Sequence, residues 1–457
     1  MSGANSGRYG LIDRYRAQAQ RLLRNPDDAK ALIEQFALLS DNGDKDAAEC
    51  YLALAERAYL IDGNDIQVKF NYASALERCG QHHAAFVLYR ECTNCEDEVW
   101  RASALHHAGI TAKALGRLNE AIEYYDRAIA LNDNPLYRRD RALAIMASGR
   151  YREGLREFEV RKELALKRSK GPNPPVQCRL PNDAVHWDGE ALSGLNIVVY
   201  HEEGSGDFIQ FCRYIPRLRE QGARRVLLTG PVPDLLEFIA PQIGADGIVP
   251  LAEAGCADYI VGSMSVPWRV DPLDPIDGSP YLSAEAAELP QRGDISVGLV
   301  WRGNPAFTRD HLRSMRLRDL APLLAVPGAA FYSLQRDGSE SIAQLGLDGI
   351  ICDLSPQLYT WADTARYVAA LDVVVSVDTA VAHLAGAMGI PVILLLPEVC
   401  DWRWSRHRDR TDWYRSMITL RQPRHGDWRN CIARARAHIV ERINERRQTI
   451  RRRAVGA

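Results

Sequence analysis

Residues 375–397 read VSVDTAVAHLAGAMGIPVILLLP, with Asp378, Thr379 and His383 enclosed between two apolar runs. The first run, Leu371 to Val377, is short and β-branched, as in a strand buried on both faces. AVAHLAGAMG is helix-compatible and ends at Gly389 before Pro391, a strong stop ahead of the strand PVILLLP. In a parallel sheet this helix would begin at the carboxyl edge, where unpaired N–H groups and the helix dipole favour an anion. Two readings stand at this point: Asp378 as an N-cap with His383 a satisfied core histidine, or the three as a phosphate site.

Three further stretches carry chemistry. HEEGSGDFIQFCRYIP, residues 201–216, follows the strand-like LNIVVYH. Gly204 and Gly206 permit a tight turn that would present Glu202, Glu203 and Asp207 at a strand end, as a general base or, for Asp207, as a helix cap. WRGNPAFTRDHLRSMRL, residues 301–317, concentrates Arg302, Arg309, Arg313 and Arg316 with Asn304 and Ser314 after another strand. Guanidinium groups there could neutralise a leaving diphosphate, or pair with Asp310 and Asp319 in a solvated loop. Gln335, which closes the run AAFYSLQ, joins this donor-binding set. In EVCDWRWSRHRDRTDWYRS, residues 398–416, Trp402, Trp404 and Trp413 could stack on a base or sugar, or pack a domain edge.

The elements behind these loops fall into two kinds. In SALHHAGITAKALGRLNEAIEYYDRAIALNDNP, residues 103–135, Ala108, Gly109, Ala121 and Ala128 stand where two helices approach closely and Tyr125 supplies bulk, which resembles the tetratricopeptide repeat. Gly116, Ala121 and Tyr125 recur as Gly80, Ala85 and Tyr89, and again as Gly149, Gly154 and Phe158, with a worn earlier copy expected through CYLALAERAYLID. Three clear copies and one or two degenerate ones suffice for a solenoid core. KRSKGPNPPVQCRLPND, from Lys167, ends the helical pattern. Strand–helix alternation then starts at LNIVVYH, breaks over the proline-rich residues 271–294 and restarts with ISVGLVWRG, so two α/β units are expected.

With 457 residues, two or three domains are expected. The 57 basic and 59 acidic residues nearly cancel, which gives no reason to expect nucleic-acid or membrane attraction, and the basic RINERRQTIRRR reads as a solvated helix end. No apolar run approaches the roughly 20 residues of a spanning helix, so a cytoplasmic protein is expected, its ten cysteines reduced. Cys92 and Cys95 form a CxxC near Cys79, His82 and His83, but an intervening helix would hold Cys79 and Cys92 apart, and no metal site is expected.

In this order and behind these repeats, EEGSGDFIQFCRYIP, GLVWRGNP with RDHLRSM, WADTARYVAALDVVVSVDTAVAHLAGAMG and DWRW resemble a bacterial family of tetratricopeptide-repeat glycosyltransferases, whose catalytic half is similar to the lipopolysaccharide heptosyltransferases. The resemblance implies an N-terminal α-solenoid over 1–165 and a GT-B fold of two Rossmann-like α/β domains, 166–285 and 286–457. It implies that Asp207, after Gly206, is the base. It also implies that Asp378, Thr379, Ala380 and His383 hold the phosphates of a nucleotide sugar, with Arg302, Asn304, Arg309, Arg313, Ser314, Gln335 and Trp402 around the donor. Glu203 stands where the family turn has glutamine, and Ala380 where glycine is common. The implied function is inverting, metal-independent transfer of a sugar to Ser/Thr hydroxyls of a protein acceptor, flagellin among those associated with the family, with no cofactor beyond the nucleotide sugar. Two alternatives remain: transfer to lipopolysaccharide or another surface glycan, and a non-catalytic scaffold.

Overall fold

The computed structural model describes residues 17–40, 48–167, 174–270, 276–290, 293–307, 310–404, 406 and 408–455. The chain divides into two compact units, Met1–Gly149 and Arg150–Ala457.

The first unit is helical. Its helices include Ile66–Arg78, His82–Cys92, Glu98–Ala114, Leu118–Leu131 and Pro135–Ala147. Asp65, Asp97 and Asn134 cap alternate helices by accepting N–H bonds from the first turn, and Pro135 occupies a position where no N–H is needed. Gly80, Gly116 and Gly149, at φ 74°, 80° and 90°, turn the chain after alternate helices in the left-handed conformation that favours glycine. The small-residue pattern is a packing device. A Cβ on Gly109 would lie 2.7 Å from the Tyr125 ring. Ala85, Ala108, Ala121, Ala128, Tyr89 and Tyr125 are buried. His106 Nε2 lies 2.9 Å from Asp140 Oδ2, with Tyr137 stacked on the imidazole, so this helical core also carries a buried polar pair.

The second unit contains two all-parallel sheets. In the first, β1 (Asn196–Tyr200), β2 (Arg225–Thr229), β3 (Gly247–Ile248) and β4 (Tyr259–Gly262) lie in the order β3-β2-β1-β4. In the second, β5 (Ile295–Val300), β6 (Ala329–Ser333), β7 (Ile351–Asp353), β8 (Val373–Val377), β9 (Val392–Leu396) and β10 (Met417–Arg421) lie in the order β10-β9-β8-β5-β6-β7. Chain direction across the sheet therefore reverses between β1 and β4 and between β5 and β8, and ligands of open α/β sheets bind outside the carboxyl ends at such reversals. Val297, Leu299, Val373, Val375, Ile393 and Leu395 form a core with Leu320, Leu323, Ile432 and Ile439.

Three expectations change. The helices Tyr151–Glu157 and Arg161–Lys167, assigned to the repeat domain by the 1–165 boundary, belong to the second unit, where buried Arg161 is bonded to Glu202 after β1. The helix expected from Phe208 to Glu220 is instead Ser205–Phe211, a 3₁₀ turn Cys212–Tyr214 and Pro216–Glu220, since Pro216 has no N–H to continue it. The basic C-terminal helix is not merely solvated: Arg446 Nη1 is 2.7 Å from Asp372 Oδ1, and Arg447 Nε is 2.9 Å from Asp294 Oδ2. Among the described residues no helix is long and apolar enough to cross a membrane.

Candidate functional site

The loops after β1 and β8 meet. A Cβ on Gly206 would lie 2.9 Å from His383 Cδ2 and 3.4 Å from Ala380 Cα, so only glycine allows the helices Ser205–Phe211 and Ala380–Ala387 to touch this closely. Thr379, and not Asp378, caps the latter helix: its Oγ1 accepts from Ala382 N–H at 3.4 Å and lies 3.0 Å from Ser376 Oγ. Asp378 is held from the side instead, where Trp404 Nε1 donates to Oδ2 at 2.9 Å and His383 Nε2 lies 3.8 Å from Oδ1. On the other edge of the imidazole, Nδ1 is 2.8 Å from Tyr414 Oη.

The electrostatics of this cradle are unusual for exposed loops and expected for buried ones. Burial first, and then the charge of Asp401, push the Asp378 carboxyl up to about 6, against the Trp404 bond and the charges of Arg313 and Arg403. Burial and the charges of Arg403, Arg213 and Arg313 hold His383 well below its ordinary value, so its imidazole is neutral near pH 7. A stability consequence follows for Asp378. The unfolded chain titrates near the ordinary value of about 4, so the native state holds an extra proton between about pH 4 and 6. The group therefore stabilises the fold at low pH and loses that contribution as pH rises through about 6. Asp378→Asn, which keeps an acceptor for Trp404, is expected to gain stability over the parent as pH rises from 4 to 6.5, reaching about 3 kcal/mol above pH 7. Urea unfolding at a series of pH values measures it, and a pH-independent difference would count against the assignment.

The three candidate carboxylates separate sharply. Asp207 lies at the junction: Oδ2 accepts from Gly204 N–H at 2.9 Å, closing the turn, and Oδ1 accepts from Arg403 Nη2. Glu202 is fully buried and points elsewhere. Its carboxylate takes Arg161 Nε at 3.1 Å and Nη2 at 2.8 Å, and the Met264 N–H at 3.0 Å, so the structure corrects its reading as a catalytic group to that of a clamp. Glu203 is exposed and, among the described residues, is the one non-glycine with left-handed backbone, φ 57°. That conformation reverses the chain between the clamped Glu202 and the turn at Gly204.

The arginine loop is largely self-contained. Arg313 Nε is 2.9 Å from Asp310 Oδ1, Ser314 Oγ donates to Asp310 Oδ2 at 2.6 Å, and Gly303 N–H donates to Ser314 Oγ at 2.9 Å. Arg302 pairs with Asp337 at 2.6 Å, and Gln335 accepts the Arg302 N–H at 3.1 Å while donating to Asp337 at 2.7 Å. Asn304 Oδ1 accepts from Ala306 N–H at 3.0 Å in a local turn. Among the described residues of this group, Arg313 acts on the cradle through its charge on Asp378 and His383. Arg309 lies outside the described residues. Trp402 is buried against Phe211, Trp413 and Tyr151, so it packs the core beside the site and presents no open face; its reading as a donor contact is corrected accordingly.

Two residues were missed. Arg403, buried, joins Asp207 to Asp401, where Nη1 is 2.8 Å from Oδ1, and its Nε donates to Gln210 Oε1. Arg213 donates at 3.0 Å to the carbonyls of Trp413 and Asp277 and lies over the rings of Tyr281 and Tyr414. In the sequence both stand among many arginines. The signal available for Arg403 was its place between two tryptophans, which bury it.

The tetratricopeptide repeat family matches residues 102–135. Protein FlbA of Caulobacter vibrioides is 26% identical over 380 residues, 73% of this chain, and the chain spans 60% of FlbA's length. Among solved structures, the crystal structure of MamA aligns with a TM-score of 0.30 and 18% identity over 37% of this chain and 99% of its own. YrrB, described as a TPR protein with an unusual peptide-binding site, aligns with a TM-score of 0.27 and 19% identity over 32% of this chain and 74% of its own.

Proposed function

We propose that the chain is a glycosyltransferase of GT-B form that moves a sugar from a nucleotide-sugar donor to a hydroxyl of a protein acceptor, with inversion and without a metal. The observation that carries this reading is the contact of Gly206 with His383, which joins the loop of Asp207 at the β1/β4 reversal to the loop of Asp378 and Thr379 at the β5/β8 reversal. The acceptor oxygen attacks the anomeric carbon and passes its proton to Asp207. The bond from that carbon to the phosphate oxygen breaks, and its electron pair leaves with the nucleoside diphosphate. The start of the Ala380–Ala387 helix, Arg313 and Arg403 stabilise the departing charge. A protein acceptor is favoured by the tetratricopeptide repeat, since repeat scaffolds offer extended concave binding surfaces, and flagellin is one candidate.

Thermal unfolding with UDP-, GDP-, ADP- and CMP-linked sugars and the free nucleotides tests the donor site. One nucleotide class is expected to stabilise the protein by about 2.7 kcal/mol at a hundredfold excess over Kd. That gain should vanish in His383→Ala. No stabilisation by any of them would contradict the proposal.

A further inference from the structure

Arg403 is held in a manner that a fixed structural arginine does not require. Its backbone is pinned: Arg403 N–H donates to Asp401 Oδ1 at 3.1 Å, Trp404 N–H donates to the Asp401 carbonyl at 3.1 Å, and Trp402 and Trp404 on either side are buried. Its guanidinium, by contrast, spans groups from both sheets, with Asp207 and Gln210 from the helix after β1 and Asp401 from the loop after β9. Gln210 is completely buried, yet among the described residues its Nε2 has no acceptor. Such a donor is costly, which leaves the cluster with an unmet demand for an acceptor. Gly206, beside Asp207, packs against His383, and Trp404, beside Arg403, donates to Asp378, so the guanidinium lies next to the cradle. Asp207 has a donor on each oxygen, Gly204 N–H on Oδ2 and Arg403 on Oδ1. The Arg403 guanidinium thus occupies the Oδ1 side of the carboxylate, where an acceptor hydroxyl would have to approach beside a fixed positive charge.

Resting on the glycosyltransferase reading, we infer that Arg403 is a positioning residue with two alternative partners, Asp207 and the donor diphosphate, so that Asp207 is released to act as base only when the donor fills the site. A diphosphate offers paired oxygens and more negative charge than one carboxylate, which suits a planar guanidinium fork. Asp401 remains bonded to Nη1 while Nη2 changes partner. The order of events is then set by the site: donor first, Arg403 transferred to the phosphates, Oδ1 of Asp207 opened to the acceptor proton. Without donor, the base stays covered.

Competition gives a test that a static latch would not pass. Affinities for UDP, GDP and ADP are measured by calorimetry on the full chain, on Asp207→Asn, on Arg403→Gln and on the double variant. If Arg403 must leave Asp207 to bind phosphate, Asp207→Asn should tighten binding of the recognised diphosphate about tenfold, one charge-assisted hydrogen bond's worth, and the gain should fall to within about twofold in the Arg403→Gln background. Should Arg403→Gln not fold, Arg403→Lys, which keeps the charge but cannot span Asp207 and Asp401 together, should likewise reduce the gain. The inference is overturned if Asp207→Asn weakens binding or if its gain is the same with and without Arg403. Absence of binding by the unaltered chain would instead remove the donor reading itself, and the inference with it.

Discussion

Replacing Arg161 by alanine is expected to destabilise the second unit by about 3–5 kcal/mol, because it leaves the carboxylate of Glu202 buried without its partner. Arg161 is 2% exposed and Glu202 is fully buried. Arg161 also donates from Nη2 to Ser265 Oγ at 2.7 Å and from Nη1 to Glu159 Oε1 at 2.8 Å. Burial would push the Glu159 carboxyl up, but the charges of Arg161, Lys162 and Arg269 hold it well below the ordinary range. A Cβ at Gly262 would lie 2.1 Å from Glu202 Oε1, so the strand beside β1 is shaped to admit this carboxylate. Every tryptophan except Trp100 lies in the second unit, so urea unfolding followed by tryptophan fluorescence reports on it. The joint change Arg161→Met with Glu202→Leu should recover most of the loss, since a buried pair replaced as a whole leaves no orphan charge. A loss under about 1 kcal/mol for Arg161→Ala would show that Glu202 finds another partner or water.

Asp207→Asn is expected to lower glycosyl transfer about 10²–10⁴-fold, the range for removing a general base, while leaving nucleotide binding intact or tighter. The isosteric amide keeps an oxygen for the Gly204 N–H but cannot take up the acceptor proton. Glu203→Gln, on an exposed side chain of the same turn, should stay within a few fold of the parent. Steady-state transfer by the three proteins separates the roles. Equal losses at Asp207 and Glu203 would show that the turn's shape, and not one carboxylate, carries the effect.

These contrasts mark where the sequence was legible. The strands that begin at Asn196, Ile295 and Val373 were readable because β-branched runs buried on both faces have few other uses. The repeat was readable from Gly80, Gly116 and Gly149, whose left-handed turns no other residue type makes so easily. The placement of Asp207, Thr379 and His383 just past strand ends was readable, because turn and helix-start residues follow the strands of α/β sheets. The fate of Glu202 was not, since nothing adjacent in sequence announces that Arg161 reaches it from a helix at the edge of the repeat region. Arg403 was hidden for a related reason: pairing between chain segments nearly two hundred residues apart leaves no local period, and its partners Asp207 and Gln210 belong to one short helix. The arginine loop was half legible: Arg313 and Arg316 take the Asp310 and Asp319 partners that the sequence offered as an alternative, whereas Arg302 pairs with Asp337, which no local spacing announces.

The most direct measurement is release of nucleotide from UDP-, GDP-, ADP- and CMP-linked sugars by the full chain, in the presence and absence of a protein acceptor fraction. Glycosyl transfer requires turnover of one donor class, accelerated by acceptor and lost in Asp207→Asn. A folded, pure chain that releases nucleotide from none of them, with or without acceptor, would contradict the assignment of these loops to glycosyl transfer.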